Sequence, residues 1–543
     1  MLANAGESQR RLPNPPLRWE NQAFPERCSM PKIRRALISV TDKTGVADFA
    51  RQLTQQSIEI VSTGGTARLL REAGLAVRDV SELTGFPEML DGRVKTLHPL
   101  VAGGILAIRG NAEHRQAVEQ HGIPLIDMVV VNLYAFETTA ARPGASFDDI
   151  IENIDIGGPS MIRAAAKNFR DVAVVTDPGD YESLAAEIAA NGGVISEATC
   201  WRLAQQAFTK TAAYDVAISA TLSTLNVDGS RSGDALPAVL GLAVPRTQVL
   251  RYGENPHQAA ALYATGDKGI AGARKLHGKE LSYNNLVDLD AAWNLIREFT
   301  RPAVAMIKHT NPCGCAEQET SAEACRKALE CDPVSAFGSV IAFNRAVDRA
   351  SVEALADLFV EAIVAPGFEP HALELLTRKK NLRLIEVSET PPAIILKSIS
   401  GGYLAQTEDN VTTRPDDLKV VTERAPSDAE MSALEFAWKV TKHVKSNAIV
   451  YARQGQTVGV GAGQMSRVDA ARIGAEKAVL PLAGTVVGSD AFFPFPDGLE
   501  EVAARGATAV IQPGGSMRDA DVIAAANRLG LAMVFTGLRH FRH

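Results

Sequence analysis

The chain has 543 residues, which at roughly 150 residues per domain predicts more than one domain and a sizeable core. Its composition of 46% hydrophobic, 6% aromatic and 22% charged residues excludes a collagen-like, largely disordered or disulfide-scaffold protein. The net charge of -7 argues against nucleic acid as a partner, because nucleic-acid binders are usually basic. Any anion that binds must therefore meet local positive groups.

Cysteine usage and hydropathy indicate the compartment. The six cysteines are scattered and none forms a C-x-x-C pair, which favours a reducing, cytoplasmic location. No apolar run approaches the roughly 18 residues that a membrane span requires, so we expect no membrane association. Residues 1–34 lack the apolar region of a secretory signal and are predicted to form a disordered arm.

Residues 35–222 alternate between short apolar runs and helical periodicity. Strands are predicted at Ala36–Val40, Ile58–Val61, Met128–Leu133 and Val172–Thr176, and helices at Val46–Gln55 and Ala67–Ala73. Strands that alternate with helices pair in parallel through right-handed crossovers. The pattern predicts an α/β domain with a doubly wound parallel sheet.

Residues 223–246 are polar and rich in glycine, and they are the predicted linker to a second domain at 247–543. Strands are predicted there at Ala303–Ile307, Ser339–Phe343, Asn447–Tyr451, Thr457–Gly461, Ala509–Gln512 and Ala532–Thr536. The segments Asp332–Gly338 and Ser489–Pro494 are weakly alike, which suggests an internal duplication.

The loop Ser62-Thr63-Gly64-Gly65-Thr66 follows a strand and precedes a helix, as a phosphate-binding loop does. Glycines let backbone N–H groups approach the anion, and hydroxyls add donors. The loop from Ser39 to Gly45 brings Lys43 to the same edge of the sheet. The alternative is a plain tight turn with Thr66 as the helix N-cap.

Two further segments of the first domain carry reactive side chains. The run Arg93-Val94-Lys95-Thr96-Leu97-His98-Pro99 holds two cations and an imidazole, although His98 could equally be a capping or core histidine. Asp155 precedes Gly157-Gly158-Pro159, where Pro159 suits the first position of a helix. An acid beside Lys95 and Lys167 suits proton transfer next to a stabilised oxyanion. The alternative is a capping aspartate and a surface lysine.

In the second domain, Lys308 and His309 stand at the end of an apolar strand, where a neutral imidazole suits a general base. Such a pair is often only structural. Further polar loops are Arg251–Gln258, Ser446-Asn447, Gly459–Arg467 and Leu538–His543. There is no ATP-binding P-loop, and Pro312-Cys313-Gly314-Cys315 lacks the spacing of a deaminase zinc site. We therefore expect no metal site.

Eight segments together carry a family resemblance from about residue 35 to residue 543. They are Ser39–Gly45, Ser62–Thr66, Gly85–Met89, Arg93–Pro99, Asp155–Asn168, Arg251–Gln258, Lys308–Gly314 and Gly459–Arg467. The sequence resembles the bifunctional purine-biosynthesis proteins that join an inosine monophosphate (IMP) cyclohydrolase to a phosphoribosylaminoimidazolecarboxamide formyltransferase. The resemblance implies an amino-terminal methylglyoxal-synthase-like domain and a carboxyl-terminal domain of two cytidine-deaminase-like α/β subdomains without zinc.

For the cyclohydrolase, the resemblance implies attack of a carboxamide nitrogen on an N-formyl carbon, followed by loss of water. The implied catalytic residues are Lys95, Tyr134, Asp155 and Lys167, with the lysines stabilising the alkoxide and Asp155 moving protons. The implied binding residues are Ser39, Lys43, Ser62, Thr63, Gly64, Gly65, Thr66, Arg93, Thr96, Asn132 and Gly157.

For the transferase, the resemblance implies formyl transfer from the co-substrate 10-formyltetrahydrofolate to the amine of 5-aminoimidazole-4-carboxamide ribonucleotide. The implied catalytic residues are Lys308, His309 and Asn447, and the implied binding residues are Arg251, Tyr252, Phe337, Arg467, Pro494, Arg539 and His543. The resemblance also implies a homodimer with the transferase sites at its interface, no catalytic metal, and room for a structural monovalent cation.

One segment departs from the family. Leu100-Val101-Ala102 stand where the family commonly has a basic residue, an apolar residue and a histidine. A catalytic histidine at position 102 is therefore absent, which leaves open a formyltransferase with an impaired cyclohydrolase. A phosphate-ester lyase of the methylglyoxal synthase type and an inactive nucleotide-binding regulator are the remaining hypotheses.

Overall fold

The structure, a computed structural model, describes residues 32–355, 358–390, 394–413 and 415–543. Most of the predicted arm, residues 1–31, lies outside them. The chain divides into two compact units at residues 243 and 244, inside the predicted linker, and each unit is described by itself. Within the described residues, no helix has the length and apolar character to cross a membrane.

The first unit contains a five-stranded sheet surrounded by helices. Its strands are β1 (Arg35–Ser39), β2 (Glu59–Ser62), β3 (Val77–Asp79), β4 (Met128–Val131) and β5 (Ala173–Val175). Its helices are α1 (Val46–Gln55), α2 (Gly64–Glu72), α3 (Val80–Thr84), α4 (Pro99–Leu106), α5 (Ala112–Gln120), α6 (Phe136–Ala141), α7 (Phe147–Glu152), α8 (Gly157–Lys167), α9 (Tyr181–Ala190) and α10 (Glu197–Leu222).

All neighbouring strands of this sheet pair in parallel, in the order β3-β2-β1-β4-β5. This confirms the predicted doubly wound sheet. Every residue of β4 is buried, because helices cover both faces of a parallel sheet. The strand order reverses between β1 and β4, and ligands bind in the crevice beyond the carboxyl ends of strands at such a point.

Two helices of the first unit begin earlier than the sequence predicts. Helix α2 begins at Gly64, not Ala67, because Gly64 adopts a φ of 55° and turns the chain out of β2 directly into the helix. Helix α8 begins at Gly157, which makes Pro159 its third residue, not its first. Proline is tolerated there because N–H groups of the first helical turn have no partner within the helix.

The second unit contains the remaining strands. They are β6 (Arg246–Leu250), β7 (Ala260–Tyr263), β8 (Arg274–His277), β9 (Ala303–Lys308), β10 (Asn311–Glu317), β11 (Ser339–Phe343), β12 (Val360–Ala365), β13 (Arg383–Glu386), β14 (Ile394–Ile399), β15 (Gly402–Thr407), β16 (Lys419–Val420), β17 (Ile449–Arg453), β18 (Gln456–Gly461), β19 (Val486–Ser489), β20 (Ala509–Gln512) and β21 (Ala532–Phe535). Its helices are α11 (Tyr283–Ile296), α12 (Ser321–Cys331), α13 (Pro333–Ala336), α14 (Arg349–Ala354), α15 (Pro370–Thr377), α16 (Asp428–Thr441), α17 (Arg467–Lys477), α18 (Pro496–Ala504) and α19 (Asp519–Arg528).

The second unit is built from two copies of one topology. Each copy is a helix, an antiparallel hairpin, and then strands that alternate with helices, and the pairing order β10-β9-β11-β12-β13 is matched by β18-β17-β19-β20-β21. Strands β10 and β18 pair antiparallel and join the copies into one sheet of 12 strands. The predicted duplication is thus present in the strand order, but the two similar segments are not equivalent in it, because Asp332–Gly338 precedes β11 and Ser489–Pro494 begins at the end of its counterpart β19.

Strand directions bring distant loops to one edge of this sheet. Strand β9 ends at Lys308 and β10 begins at Asn311, and these two residues pair. Because β10 runs antiparallel to β18, and β18 antiparallel to β17, the end of β18 and the start of β17 lie at the same edge. The starts of β11 and β12 and the end of β19 lie there too.

Candidate functional site

The crevice of the first unit carries positive groups at the start of α2. A Cβ placed on Gly64 would lie 3.5 Å from the Lys95 Nζ, and one placed on Gly65 would lie 3.8 Å from the Lys43 Nζ. Both glycines are exposed. Two ammonium groups therefore flank a helix N-terminus, whose free N–H groups and dipole also favour an anion.

Two of the three hydroxyl groups of this loop donate to backbone oxygens of the segment at β1. The Ser62 Oγ donates to the Ile38 carbonyl oxygen at 2.6 Å, and the Thr66 Oγ1 donates to the Val40 carbonyl oxygen at 2.9 Å. Thr66 also accepts from the Val40 N–H, so it fastens the loop after β1 and is not an N-cap. Thr63 is the N-cap residue, and its side chain makes no capping hydrogen bond.

Asn132 follows β4 and fastens a second loop. Its Oδ1 accepts from the N–H groups of Thr41 and Asp42 at 2.6 and 2.9 Å, and its Nδ2 donates to the Asp42 carbonyl oxygen. Ser39, at the end of β1, is half-buried. Asn132 therefore braces the crevice across the switch point, with both polar atoms of its amide engaged.

Asp155 lies at the start of α8, half-buried. Its Oδ1 accepts from the Gly158 N–H at 2.8 Å, and its backbone N–H donates to the Tyr214 hydroxyl at 2.8 Å. A Cβ on Gly158 would lie 2.4 Å from the Asp155 Oδ2, and one on Gly157 would lie 2.9 Å from the Thr96 Oγ1. The two glycines therefore let Asp155 and Thr96 pack tightly against the helix end.

Burial raises the pKa of Asp155, and it outweighs the lowering effects of the Gly158 and Tyr134 N–H groups and of the Lys95 charge. Burial also raises the pKa of Tyr134, with the charges of Asp155 and Glu88 acting in the same direction. Asp155, Lys95 and Tyr134 thus influence one another electrostatically. Their grouping gives an acid, a cation and a phenol at one place.

Glu88 belongs to this group, although sequence reasoning assigned it no role. Its Oε1 lies 3.9 Å from the Lys95 Nζ. The signal that could have found it was its position in the Gly85–Met89 motif. The Glu88 carboxylate therefore places a negative charge beside the Lys95 ammonium, whose own charge acts on Asp155.

Lys167 stands apart from this group, whereas Arg93 is linked to it through Glu152, whose charge acts on Tyr134. Lys167 is exposed at the last residue of α8, about 15 Å from Gly157 at 1.5 Å per helical residue, so the chain does not bring it to Asp155. Arg93 forms an ion pair with Glu152. In the segment Leu100-Val101-Ala102, which departs from the family pattern, Ala102 is exposed on α4. The His98 Nδ1 accepts a hydrogen bond from the Leu100 N–H and so caps this helix.

In the second unit, His309 and Thr310 form the two-residue turn between β9 and β10. Their φ values are 50° and 63°, both in the left-handed region that non-glycine residues rarely adopt. The Thr310 N–H donates to the Asp288 Oδ1 at 2.7 Å. Asp288, on α11, thereby holds the turn that exposes His309.

Lys308 is fixed by two backbone oxygens. Its Nζ donates to the carbonyl oxygens of Phe337 and Gly338, each at 3.0 Å. A cavity of about 860 Å³ on one side of the turn is lined by Arg251, Tyr252, Asp288, Lys308 and His309. A second cavity of about 350 Å³ is lined by Lys308, His309, Cys313, Cys331 and Gln464. Lys308 and His309 border both.

Asn447, Pro494 and Arg539 line a third cavity of about 400 Å³ together with Arg467. Arg467 is only 8% exposed, and its guanidinium donates to Ser489, Asp490 and Asn447. Substrate binding by Arg467 stays a prediction, because Nη1 and Nη2 contact groups inside the protein while the residue also lines this cavity. Asn447 precedes β17 instead of starting it.

The carboxyl-terminal residues close this edge of the sheet. The Lys445 Nζ donates to the His543 carbonyl oxygen at 2.8 Å, and the Arg539 guanidinium lies 4.3 Å from the centre of the Phe541 ring. The exposed Phe337 ring lies 5.2 Å from that of Phe359. Lys308, Asn447, Phe337 and the chain terminus therefore share one edge, although they are far apart in sequence.

Comparisons with known proteins place the chain in a family, and the larger of the two matches spans the boundary between the compact units. The family described as AICARFT/IMPCHase bienzyme matches residues 165–477, and the MGS-like domain matches residues 45–160. A solved structure titled "Crystal structure of ForH" is 36% identical in sequence, and the match covers 35% of this chain and 100% of that chain. The TM-score is 0.32. Among the described residues, no group of three or more His, Cys, Asp or Glu side chains could hold a metal ion.

Proposed function

Because the chain belongs to the AICARFT/IMPCHase bienzyme family, we propose that it catalyses the last two steps of IMP synthesis. In the first step, 10-formyltetrahydrofolate formylates 5-aminoimidazole-4-carboxamide ribonucleotide, and in the second the product closes to IMP with loss of water. One observation carries the proposal: each compact unit has a lysine beside a titratable group at one edge of its sheet. These are Lys95 with Asp155 in the first unit and Lys308 with His309 in the second.

For formyl transfer, the ribonucleotide amine attacks the formyl carbon, the bond from that carbon to folate N10 breaks, and the amine proton moves to N10. His309 is exposed beside Lys308 and is the group suited to carry that proton. The Lys308 ammonium has three N–H donors, of which Phe337 and Gly338 engage two. The third is suited to stabilise the oxyanion that develops on the formyl oxygen.

For ring closure, the carboxamide nitrogen attacks the formyl carbon and a hydroxyl then leaves as water. Asp155 is suited to accept the nitrogen's proton, and the charge of Lys95 acts on the same place. The start of α2, with Lys43 beside Gly65, is suited to the nucleotide phosphate. Lys167 has no part in this proposal within one chain.

The proposed transferase works as a homodimer with its sites at the interface. The hairpin of β14 and β15 supports this, because Ile395, Ile399 and Leu404 are exposed on one face of it. Apolar side chains grouped on a surface mark interaction sites. Arg251, Tyr252, Phe337, Pro494, Arg539 and His543 are the proposed substrate and folate contacts at this edge.

An impaired cyclohydrolase is the second candidate function. The exposed Ala102 favours it, because no imidazole stands at that point of α4. The test is an absorbance assay of the purified protein with both substrates, following tetrahydrofolate and IMP. Both products are expected; accumulation of the formylated intermediate would establish the impaired form, and absence of both products would overturn the proposed function.

A further inference from the structure

Asp490 directly follows β19 and is a fully buried carboxylate at the edge of the sheet that holds Lys308. Its oxygens accept from the Ser446 Oγ at 2.5 Å, the Ala448 N–H at 3.1 Å and the Arg467 Nη1 at 2.5 Å. Ser446 and Ala448 flank Asn447 in the chain. One buried carboxylate therefore fixes the backbone on both sides of Asn447.

The same carboxylate also acts on the Asn447 side chain through Arg467. The Arg467 Nη2 donates to the Asn447 Oδ1 at 2.9 Å, while its Nη1 contacts Asp490. The Asn447 Nδ2 donates to the carbonyl oxygens of Gln464 and Met465 at 2.9 and 3.2 Å. These partners define the amide orientation, because a flipped amide would face Arg467 with a donor and two carbonyls with an acceptor.

A hydrogen bond links the segment of Asn447 to the β9–β10 turn that carries His309. The N–H of Lys445, two residues before it, donates to the Asn311 Oδ1 at 2.9 Å, and Asn311 is the first residue after that turn. Gln464, whose carbonyl Asn447 holds, lines the same cavity as Lys308 and His309. A displacement of Asn447 therefore reaches the proposed transferase site.

We propose that Asp490 is a positioning residue for formyl transfer, which sets the place and orientation of Asn447 through Arg467 and Ser446. This inference rests on the proposed function. A purely structural role would instead make Asp490 one more buried ion-pair partner, important for stability and indifferent to Asn447. The two roles differ in whether the effects of Asp490 and Asn447 on turnover depend on each other.

The test is a double-mutant cycle on formyl transfer by the full chain, with Asp490→Asn, Asn447→Ala and their combination. Because a displacement of about 1 Å can cost about 100-fold in rate, Asp490→Asn is expected to lower kcat by about that factor and to change the KM for the ribonucleotide by less than about threefold. In the Asn447→Ala background, Asp490→Asn is expected to change kcat by less than about twofold. Effects that multiply would overturn the proposal.

A matched control breaks another carboxylate–arginine pair of the same subdomain. The Arg424 Nη1 donates to the Glu430 Oε2 at 2.8 Å at the opposite edge of the sheet. Glu430→Gln is expected to lower the melting temperature while kcat stays within about twofold of the wild type. An equal loss of kcat in Glu430→Gln would show that any destabilisation reduces turnover, and it would overturn the proposal.

Arg467→Lys keeps the test decisive if Asp490→Asn does not fold. The lysine retains a cation for Asp490, but its ammonium lacks the fork that reaches Asp490 and Asn447 together. The same loss of kcat is expected with less than about threefold change in the KM for the ribonucleotide, and unchanged kcat would overturn the proposal. Wild-type activity is measured first: an inactive wild type overturns the proposed function, whereas an active wild type with multiplying effects overturns only this inference.

Discussion

The Asp288 Oδ1 accepts a hydrogen bond of 2.7 Å from the Thr310 N–H, and it thereby holds a two-residue turn in which neither central residue is glycine. Such a turn needs positive φ at both positions, where glycine and asparagine are favoured. Residues in this region cost about 1–3 kcal/mol each unless the surroundings enforce them. Asp288 is one of the groups that enforce the conformation from which His309 is exposed.

Asp288→Ala should therefore weaken both stability and formyl transfer. The half-buried Thr310 N–H would lose its acceptor, at a cost of about 1–3 kcal/mol in the free energy of unfolding. We expect kcat to fall by about 10- to 100-fold because His309 is no longer held. Steady-state formyl transfer and urea unfolding measure the two effects. Asp288→Asn, which keeps an acceptor oxygen, is the control, and full activity of Asp288→Ala would contradict the role given to this contact.

Thr310→Gly should raise stability. Glycine adopts a φ of 63° without the steric cost of a β-branched residue, and the gain is partly offset by the greater freedom of glycine in the unfolded chain. We expect the free energy of unfolding to increase by about 1 kcal/mol. Urea denaturation measures it, with Thr300→Gly as a control outside the turn. A decrease would show that the threonine side chain stabilises the turn by more than its backbone strain costs.

The two proposed sites should be separable by mutation, because they lie in separate compact units. Lys308→Ala or His309→Ala should abolish formyl transfer and leave ring closure of the formylated nucleotide intact. Lys95→Ala or Asp155→Ala should do the reverse. Each step is assayed alone, with circular dichroism as a check on folding. Loss of both activities in one folded variant would contradict the assignment of two sites.

The pH dependence of ring closure should report Asp155. Because burial raises the pKa of Asp155 above 3.8, its base form appears only at higher pH than that of an ordinary aspartate. We expect kcat/KM for ring closure to increase with pH through this raised pKa, so the acid limb lies above pH 3.8. Asp155→Asn, which cannot titrate, should lose activity at every pH. A rate that stays constant down to pH 3.8 would rule out Asp155 as the base.

The second unit should lose stability in acid through a buried network. Burial lowers the pKa of His443, and although burial acts to raise the pKa of Glu298, its hydrogen bonds from His443 and Lys442 lower it to about 2. The Arg542 guanidinium also faces His443, at 3.2 Å. Because both groups have a lower pKa in the folded protein, the unfolded chain binds their protons more readily. Their contribution to the free energy of unfolding is therefore present above the pKa of the unfolded chain and is lost as the pH falls.

The loss should begin below pH 6.5 through His443 and continue from pH 4.5 towards pH 2 through Glu298. Each proton taken up changes the free energy of unfolding by up to about 1.4 kcal/mol per pH unit. Urea unfolding at pH values on either side of 6.5 measures the first part, and His443→Gln should flatten it. An unchanged slope in His443→Gln would assign the effect to another group.

Much of this protein could be predicted from its sequence, because the information is local. Apolar runs and small-residue turns predicted the doubly wound sheet, and helix α1 runs from Val46 to Gln55 as predicted. Its buried residues, Val46, Phe49, Ala50 and Leu53, follow the helical repeat. The capping role of His98 is likewise indicated by the proline that follows it.

The tertiary structure decided which polar groups remain available for chemistry. Ser62, Thr66 and Asn132 have the side chains of a binding loop, yet their hydrogen bonds go to neighbouring backbone, and Lys167 lies at the far end of its helix. The roles proposed for Asp288 and Asp490 were not predicted from any sequence motif. The physical reason is that hydrogen-bond partners depend on which strands pair. The pairing of β10 with β18 brings together residues that are 142 positions apart in sequence, as in the hydrogen bond from the Cys315 N–H to the Thr457 Oγ1.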